Sequence, residues 1–255
     1  MPTKRPPASP PRRRARAGCL HLLPWHIGHG ADVTARVVAD VTRLRMLLVE
    51  SVDNARHELR RLRGVDPAAK ELRTIPETPD PGFLDWLVAV LRREDVGMMA
   101  SGGIPAFVDP GAWVVAALRE RGVRIVARPG PSCLTTMLSL SGIEWRLDTN
   151  AFSFAFFLDV PPDSRGERRF RLVARRPEPL FVFLRKTRVE RCLRVLRDEV
   201  GSRPVSLFFD LTKGRSRYFP LGDEVRTMTC AGWLAALRTL PWARISDVAL
   251  MVGPG

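Results

Sequence analysis

Apolar positions along this 255-residue chain fall into two textures. One is the short apolar run, about a strand's length. The other is a longer stretch in which apolar residues recur at every third or fourth position, as on one face of a helix. Runs at Cys19–Leu23, Arg45–Val49, Val96–Ala100 and Val123–Ala127 predict strands. Between them, helices are expected from Asp32 or Thr34 (either able to cap) to Leu44, from Ser51 to about Leu62, over Phe83–Arg93 and over Ala112–Arg121. The last 125 or so residues repeat the alternation less regularly. Strands are expected at Ala151–Leu158, Leu180–Leu184, Pro204–Asp210 and Asp247–Val252, and helices at Arg165–Arg176, Thr187–Val200 and Ala231–Leu240. Ala151–Leu158 is apolar almost throughout, which predicts a strand buried on both faces. Strand–helix alternation of this kind predicts an α/β fold with parallel pairing.

The segment Val96–Gly142 organises the rest. Its first strand runs into Ser101-Gly102-Gly103-Ile104-Pro105, its second into Pro129-Gly130-Pro131-Ser132, and Asp109-Pro110-Gly111 breaks the chain between them. Both glycine- and proline-rich loops leave carboxyl ends of strands, where open α/β sheets bind ligands. Glycine lets main chain approach a ligand closely, proline sets loop shape in advance, and Ser132 stands where its hydroxyl can cap the helix that follows. One such loop is explained by strand termination alone. Two after neighbouring strands favour a small-molecule site.

Connectors complete the layout. Gly64–Pro81 is rich in proline and charge and is expected to be an exposed connector, and Ile143–Asn150 a linker. The expected organisation is a disordered basic tail over 1–17, a domain over 18–145 and a second over 146–255. No apolar run approaches bilayer length. The apolar stretch after Gly18 is too short for a secretory core. Four separated cysteines without a C-x-x-C pair suit a reducing cytosol, so a cytoplasmic location is expected. His21, His26 and His29 lie close in sequence without a matching cysteine or carboxylate cluster, so no metal is expected. Gly28-His29-Gly30 lacks the third glycine of a dinucleotide fingerprint. The net charge of +14 sets this chain apart and favours polyanionic partners, although its arginines are spread along the sequence.

Taken in order, Gly103-Ile104-Pro105, Asp109-Pro110-Gly111, Pro129-Gly130-Pro131-Ser132, Leu138-Ser139-Leu140-Ser141-Gly142 and Asp210-Leu211-Thr212-Lys213 resemble the tetrapyrrole methylase superfamily. The resemblance is to its branch that methylates a ribose 2′-hydroxyl of small-subunit ribosomal RNA. It implies two α/β domains with the cofactor cleft between them, S-adenosylmethionine as cofactor, a homodimer, and ribosomal RNA or the small subunit as partner. Cofactor contacts fall to Gly102, Gly103, Ile104, Pro105, Asp109, Pro129, Gly130, Pro131 and Ser132. Glu50 and Arg56 echo a Glu-x-x-x-x-Ala-Arg segment of related enzymes, although Arg56 with Arg60 and Arg63 equally suits a solvated helix face. Ser101, Gly102 and Ile104 replace the family's Asp, Ala and Thr, and Arg185 replaces a Glu.

Methyl transfer from a sulfonium is an in-line displacement, so the acceptor oxygen must be held in line and relieved of its proton. Lys213 and Asp210, at a strand end, are the expected catalytic residues. Arg185, Lys186 and Arg188 are expected to hold substrate phosphates. Two alternatives stay open: methylation of a tetrapyrrole or other small molecule, and a degenerate, non-catalytic RNA-binding protein.

Overall fold

The computed structural model describes residues 17–108, 110–146 and 151–255. The expected basic tail, apart from its last residue, and part of the expected linker lie outside these. The described residues divide into two compact units: 17–25 with Val33–Gly130, and His26–Asp32 with Pro131–Gly255.

The first unit is built on a parallel sheet of β1 (Leu20–Leu23), β2 (Met46–Val49), β3 (Glu71–Thr74), β4 (Val96–Met99) and β5 (Ile125–Ala127), in the order β3-β2-β4-β1-β5. Helices α1 (Ala35–Arg43) and α2 (Val52–Arg60) cover one face, and α3 (Pro81–Leu91) and α4 (Ala112–Glu120) the other. Strand alternation explains how. In β2, Met46 and Leu48 face Phe83, Leu87 and Leu118, whereas Leu47 and Val49 face Val37, Val41 and Leu59. A sheet covered on both faces needs apolar residues at successive positions, which is why these strands read as continuous runs. Thr34, rather than Asp32, caps α1, its hydroxyl accepting from the Val37 amide at 3.4 Å.

The second unit begins with α5 (Cys133–Leu140). It continues through β6 (Ser153–Phe157), α6 (Arg165–Ala174), β7 (Leu180–Leu184), α7 (Val189–Val200), β8 (Val205–Phe209), β9 (Glu224–Met228), α8 (Cys230–Ala236) and β10 (Val248–Val252). Its sheet order is β6-β7-β10-β8-β9. Only β6 and β7 are parallel; β10 runs antiparallel to β7 and β8, and β9 antiparallel to β8. Helices α6, α7 and α8 fill one face, while Met137 of α5 packs with Phe181, Phe208 and Met251 on the other.

Several expectations change. The boundary expected at 145/146 differs from the compact units, because α5 buries Met137 against the second sheet. The connector Gly64–Pro81 contains β3, an exposed edge strand whose one apolar side chain, Leu72, is too little to announce a strand. Strand β6 also lies at an edge, with its middle residues partly exposed, rather than buried on both faces. Thr187 does not cap α7; it sits inside a 3₁₀ turn over Lys186–Arg188 that leads into the helix. Strand β9 was not expected; its sequence, EVRTM, carries more polar than apolar side chains. Among the described residues no helix is long and apolar enough to cross a membrane.

Candidate active site

In the first unit, the segments leaving β1, β2, β4 and β5 share the carboxyl edge of the parallel sheet. Trp25, just after β1, forms an isolated bridge with Gly103: each amide donates to the other's carbonyl, at 2.8 and 3.0 Å. Gly103 has φ +73°, a conformation that favours glycine. Its polar main-chain atoms are therefore committed to Trp25, so its contribution to a ligand is shape. Glu50, after β2, accepts from the Ser101 amide at 2.8 Å and ties down the loop after β4. Gly130 lies against the β1 loop so closely that a Cβ would fall 2.5 Å from Pro24 Cβ. Pro105 is buried, Pro129 and Gly102 are exposed, Pro131 is half-buried, and Ile104 is 37% exposed on its loop. Asp109 lies outside the described residues. Arg56 is exposed on α2.

Ser132 is the residue before α5, but its hydroxyl caps nothing. Its carbonyl instead accepts from the hydroxyls of Thr135 and Thr136, at 3.1 and 2.9 Å. His21 is not grouped with His26 and His29. It is buried in β1, with Nε2 3.3 Å from Asp95 and Nδ1 3.8 Å from Asp40. Guanidinium nitrogens of Arg43 and Arg128 stand 3.5 Å from its two ring nitrogens, so either lone pair already faces a cation.

In the second unit, the turn after β8 carries a dense polar network. Asp210 is 1% exposed. Its Oδ1 accepts from the amides of Ser246 and Asp247, at 3.0 and 2.9 Å, and from Lys213 Nζ at 3.3 Å. Its Oδ2 is buried without a hydrogen-bond partner among the described residues. Lys213 also pairs with the carboxylate of Asp247, and its ammonium lies 5.3 Å from the Phe219 ring centroid. Asp210 and Thr212 hold φ of +45° and +61°, left-handed backbone that non-glycine residues adopt only when the surroundings enforce it. Asp223 supplies part of that enforcement by accepting from the amides of Thr212 and Gly214.

The His26–Asp32 segment rests on this turn. The His29 amide donates to Thr212 Oγ1 at 3.3 Å, and a Cβ on Gly28 would lie 2.7 Å from Leu211 O, Thr212 Oγ1 and Lys213 Cγ. The sequence singled out Lys213, Asp210 and Gly28 separately; it did not point to Asp223 or Asp247, nor to the meeting of Gly28 with this turn. Asp247 had a readable signal, being an acidic residue at the start of an apolar strand. The pairing of 26–32 with 210–214 had none, because more than 180 positions separate them (|i−j| = 183 for His29 and Thr212).

Arg185 and Arg188 follow β7 and share one carboxylate, Asp159, at 2.9 and 3.6 Å. Lys186 differs from them. Its ammonium donates to the carbonyls of Trp242 and Ile245, at 3.3 and 2.7 Å, which makes it a clamp on the chain entering β10.

Comparison with known proteins agrees with this layout. Residues 30–222 match the family model described as tetrapyrrole (corrin/porphyrin) methylases. Proteins named ribosomal RNA small subunit methyltransferase I are similar over most of the chain. That of Xylella fastidiosa strain Temecula1 is 29% identical over 77% of this chain and 69% of its own. That of Leptospira biflexa is 28% identical, over 77% and 78%. That of Escherichia coli O157:H7 is 31% identical, over 77% and 66%. Among solved structures, the fold resembles uroporphyrin-III C-methyltransferase of Thermus thermophilus in complex with S-adenosylhomocysteine, with TM-score 0.55, 17% identity, and 92% and 97% of the two chains covered. It also resembles a cobalt precorrin-4 methyltransferase, with TM-score 0.59, 14% identity, and coverage of 92% and 94%. With a match spanning most of its length and both α/β units in place, the chain belongs to the tetrapyrrole (corrin/porphyrin) methylase family.

Proposed function

We propose that this protein transfers a methyl group from S-adenosylmethionine to a ribose 2′-hydroxyl of small-subunit ribosomal RNA. The observation that carries the reading is its similarity, over about three-quarters of the chain, to relatives named for small-subunit ribosomal RNA methylation. The cofactor supplies an electrophilic methyl on a sulfonium. The loops suit such a group in shape: Gly130 lets the loop after β5 close against Pro24, and Gly103 turns its main chain through positive φ, which sets the carboxyl-edge loops side by side. Gly102, Ile104 and Pro105 would hold it with the Pro129–Ser132 loop, and Asp109 belongs to the same proposed set.

Lys213 is the reacting-centre cation in this reading. Asp210 and Asp247 fix its ammonium, so it would stabilise the ribose oxygen with little reorganisation as the 2′-hydroxyl proton passes to solvent. Asp210, fully buried, orients Lys213 rather than touching substrate. Arg185 and Arg188, half of whose charge Asp159 offsets, would exchange that carboxylate for RNA phosphates. Glu50 and Arg56 complete the proposed substrate set. Lys186 is set apart from it, two of its three N–H donors being engaged by main-chain carbonyls. The reading includes a cytoplasmic location, which cell fractionation tests, and a homodimer, which light scattering tests.

The decisive assay supplies labelled S-adenosylmethionine together with undermethylated small ribosomal subunits or uroporphyrinogen. Label in the RNA, at a 2′-hydroxyl, is expected, and log–log affinity should fall with salt by roughly 0.7 to 0.9 per phosphate contact. Label only on the tetrapyrrole overturns the reading. No transfer to either, with cofactor bound, indicates the degenerate alternative.

A further inference from the structure

The loop after Lys213 carries chemistry that the proposal above does not use. Residues Gly214–Phe219 read GRSRYF. Asp223 closes the base of this loop through the amides of Thr212 and Gly214, and Gly222 packs so tightly that a Cβ there would lie 2.2 Å from the Gly214 carbonyl oxygen. Within the loop, the Ser216 amide donates to the Phe219 carbonyl at 3.0 Å, and the Phe219 amide donates to the Ser216 hydroxyl at 3.1 Å. The tip is thus ordered before any ligand arrives, which lowers the entropic cost of binding.

Tyr218, the single tyrosine of the chain, is 63% exposed at this tip. The Arg217 guanidinium lies 4.6 Å from its ring centroid and donates to its hydroxyl. Arg215 is exposed on the same loop. Among the described residues no carboxylate pairs with Arg215 or Arg217, in contrast to Arg185 and Arg188. An exposed ring beside one uncompensated guanidinium, with a second on the same loop, has little to recommend it for stability. It suits an unpaired nucleotide: any base can stack on the ring, and the cations meet the flanking phosphates. Double-stranded RNA offers no free base face to such a ring.

We infer that Arg215–Tyr218 is a single-stranded RNA-binding element, with Tyr218 stacking on a base beside the nucleotide presented to Lys213. This rests on the ribosomal RNA reading above. The test uses the full chain, a short fluorescein-labelled single-stranded RNA oligomer and its abasic counterpart, with binding read by anisotropy. Tyr218→Ala should weaken binding to the oligomer about tenfold, the loss ordinarily seen for one stacked base. The same variant should bind the abasic oligomer as wild type does, and Tyr218→Phe should bind both normally. The double variant Arg215→Ala, Arg217→Ala should lower the salt slope by roughly 1.4, at about 0.7 for each single-strand phosphate contact. Melting temperatures, read in parallel, should stay at the wild-type value. Unchanged affinity of Tyr218→Ala, or an equal loss on both oligomers, overturns the inference and leaves the ribosomal RNA reading standing. So does a wild-type protein that methylates small subunits without binding the oligomer. Methyl label confined to a tetrapyrrole overturns both.

Discussion

Replacing Gly28 by alanine adds one methyl group at the point where the His26–Asp32 segment meets the turn that carries Lys213. The new Cβ would lie 2.7 Å from three atoms, of which only Lys213 Cγ belongs to a flexible side chain. The Leu211 carbonyl is main chain, and Thr212 Oγ1 is held by the His29 amide. Reaching an ordinary 3.4 Å separation requires a shift of 3.4 − 2.7 = 0.7 Å in one segment or the other. Overpacking of this kind costs about 1–3 kcal/mol. For a chain of this size each kcal/mol lowers Tm by about 2–4 °C, so differential scanning fluorimetry should find a fall of roughly 2–12 °C. Displacing Lys213 by most of an ångström should lower single-turnover methyl transfer about ten- to a hundredfold, with cofactor affinity kept. The control is two residues away. A Cβ on Gly30 meets nothing within 4 Å, so Gly30→Ala should match wild type in both assays, or exceed it in Tm by the few tenths to about 1 kcal/mol gained by restricting the unfolded chain. Equal Tm and turnover for Gly28→Ala and wild type would refute the packing argument, as would equal losses in the two variants.

Two further outcomes follow from buried charge and buried thiols. Burial pushes the Asp95 and Asp40 carboxyls up, but the Cys19 amide and Arg43 at Asp95, and Arg128 and Arg43 at Asp40, more than offset it and leave both below the usual carboxylate range. A carboxyl depressed in the folded state gives stability that is present above its unfolded pKa, about 3.9, and lost as pH falls toward the folded value. Urea midpoints should therefore hold between about pH 5 and 7 and drop below about pH 4, with a smaller drop in Asp95→Asn; identical acid profiles would contradict this. Burial, with a contribution from Asp247, raises the Cys133 thiol to about 12, and burial raises Cys230 to about 11 and pushes Cys192 well above the ordinary thiol range. All three should resist a thiol-specific disulfide reagent at pH 8 until denaturant is added, and rapid native labelling of any one, located by mass spectrometry, would refute this.

Much of the first unit was legible because its signals are local. Gly102-Gly103 and Pro129-Gly130 follow strands β4 and β5 as expected, and the strand–helix alternation announced a parallel sheet. What escaped depends on long-range partners or on side chains that mask a pattern. Strand β3 pairs with β2 at a charged edge, where exposure removes the apolar alternation. Ser132 and Thr187 have the chemistry of caps, but the first places its carbonyl under two threonine hydroxyls and the second is drawn into a 3₁₀ turn. At the candidate site, Lys213 and Asp210 were visible through a four-residue motif. That Asp247 holds Lys213 from the neighbouring strand, and that Gly28 lies beneath it, requires the β8–β10 pairing and the folded chain. Lys186 shows the converse: a basic residue in a basic run, whose ammonium is spent on the carbonyls of Trp242 and Ile245.

The position of β10 has a consequence for how the protein is made. It lies at the centre of the second sheet, between β7 and β8, yet it comes after every other strand in sequence. A nascent chain that has emerged only as far as residue 247 holds β7 and β8 with no central strand to join them, and Leu180, Val182, Val205 and Leu207 without the neighbours that seal them. The first unit has no such dependence, since its sheet is complete once β5 has emerged. Synthesis is therefore expected to yield a folded amino-terminal body trailing an adhesive, half-formed sheet until the last strand arrives, the interval in which a chaperone has most to offer and premature termination does most harm.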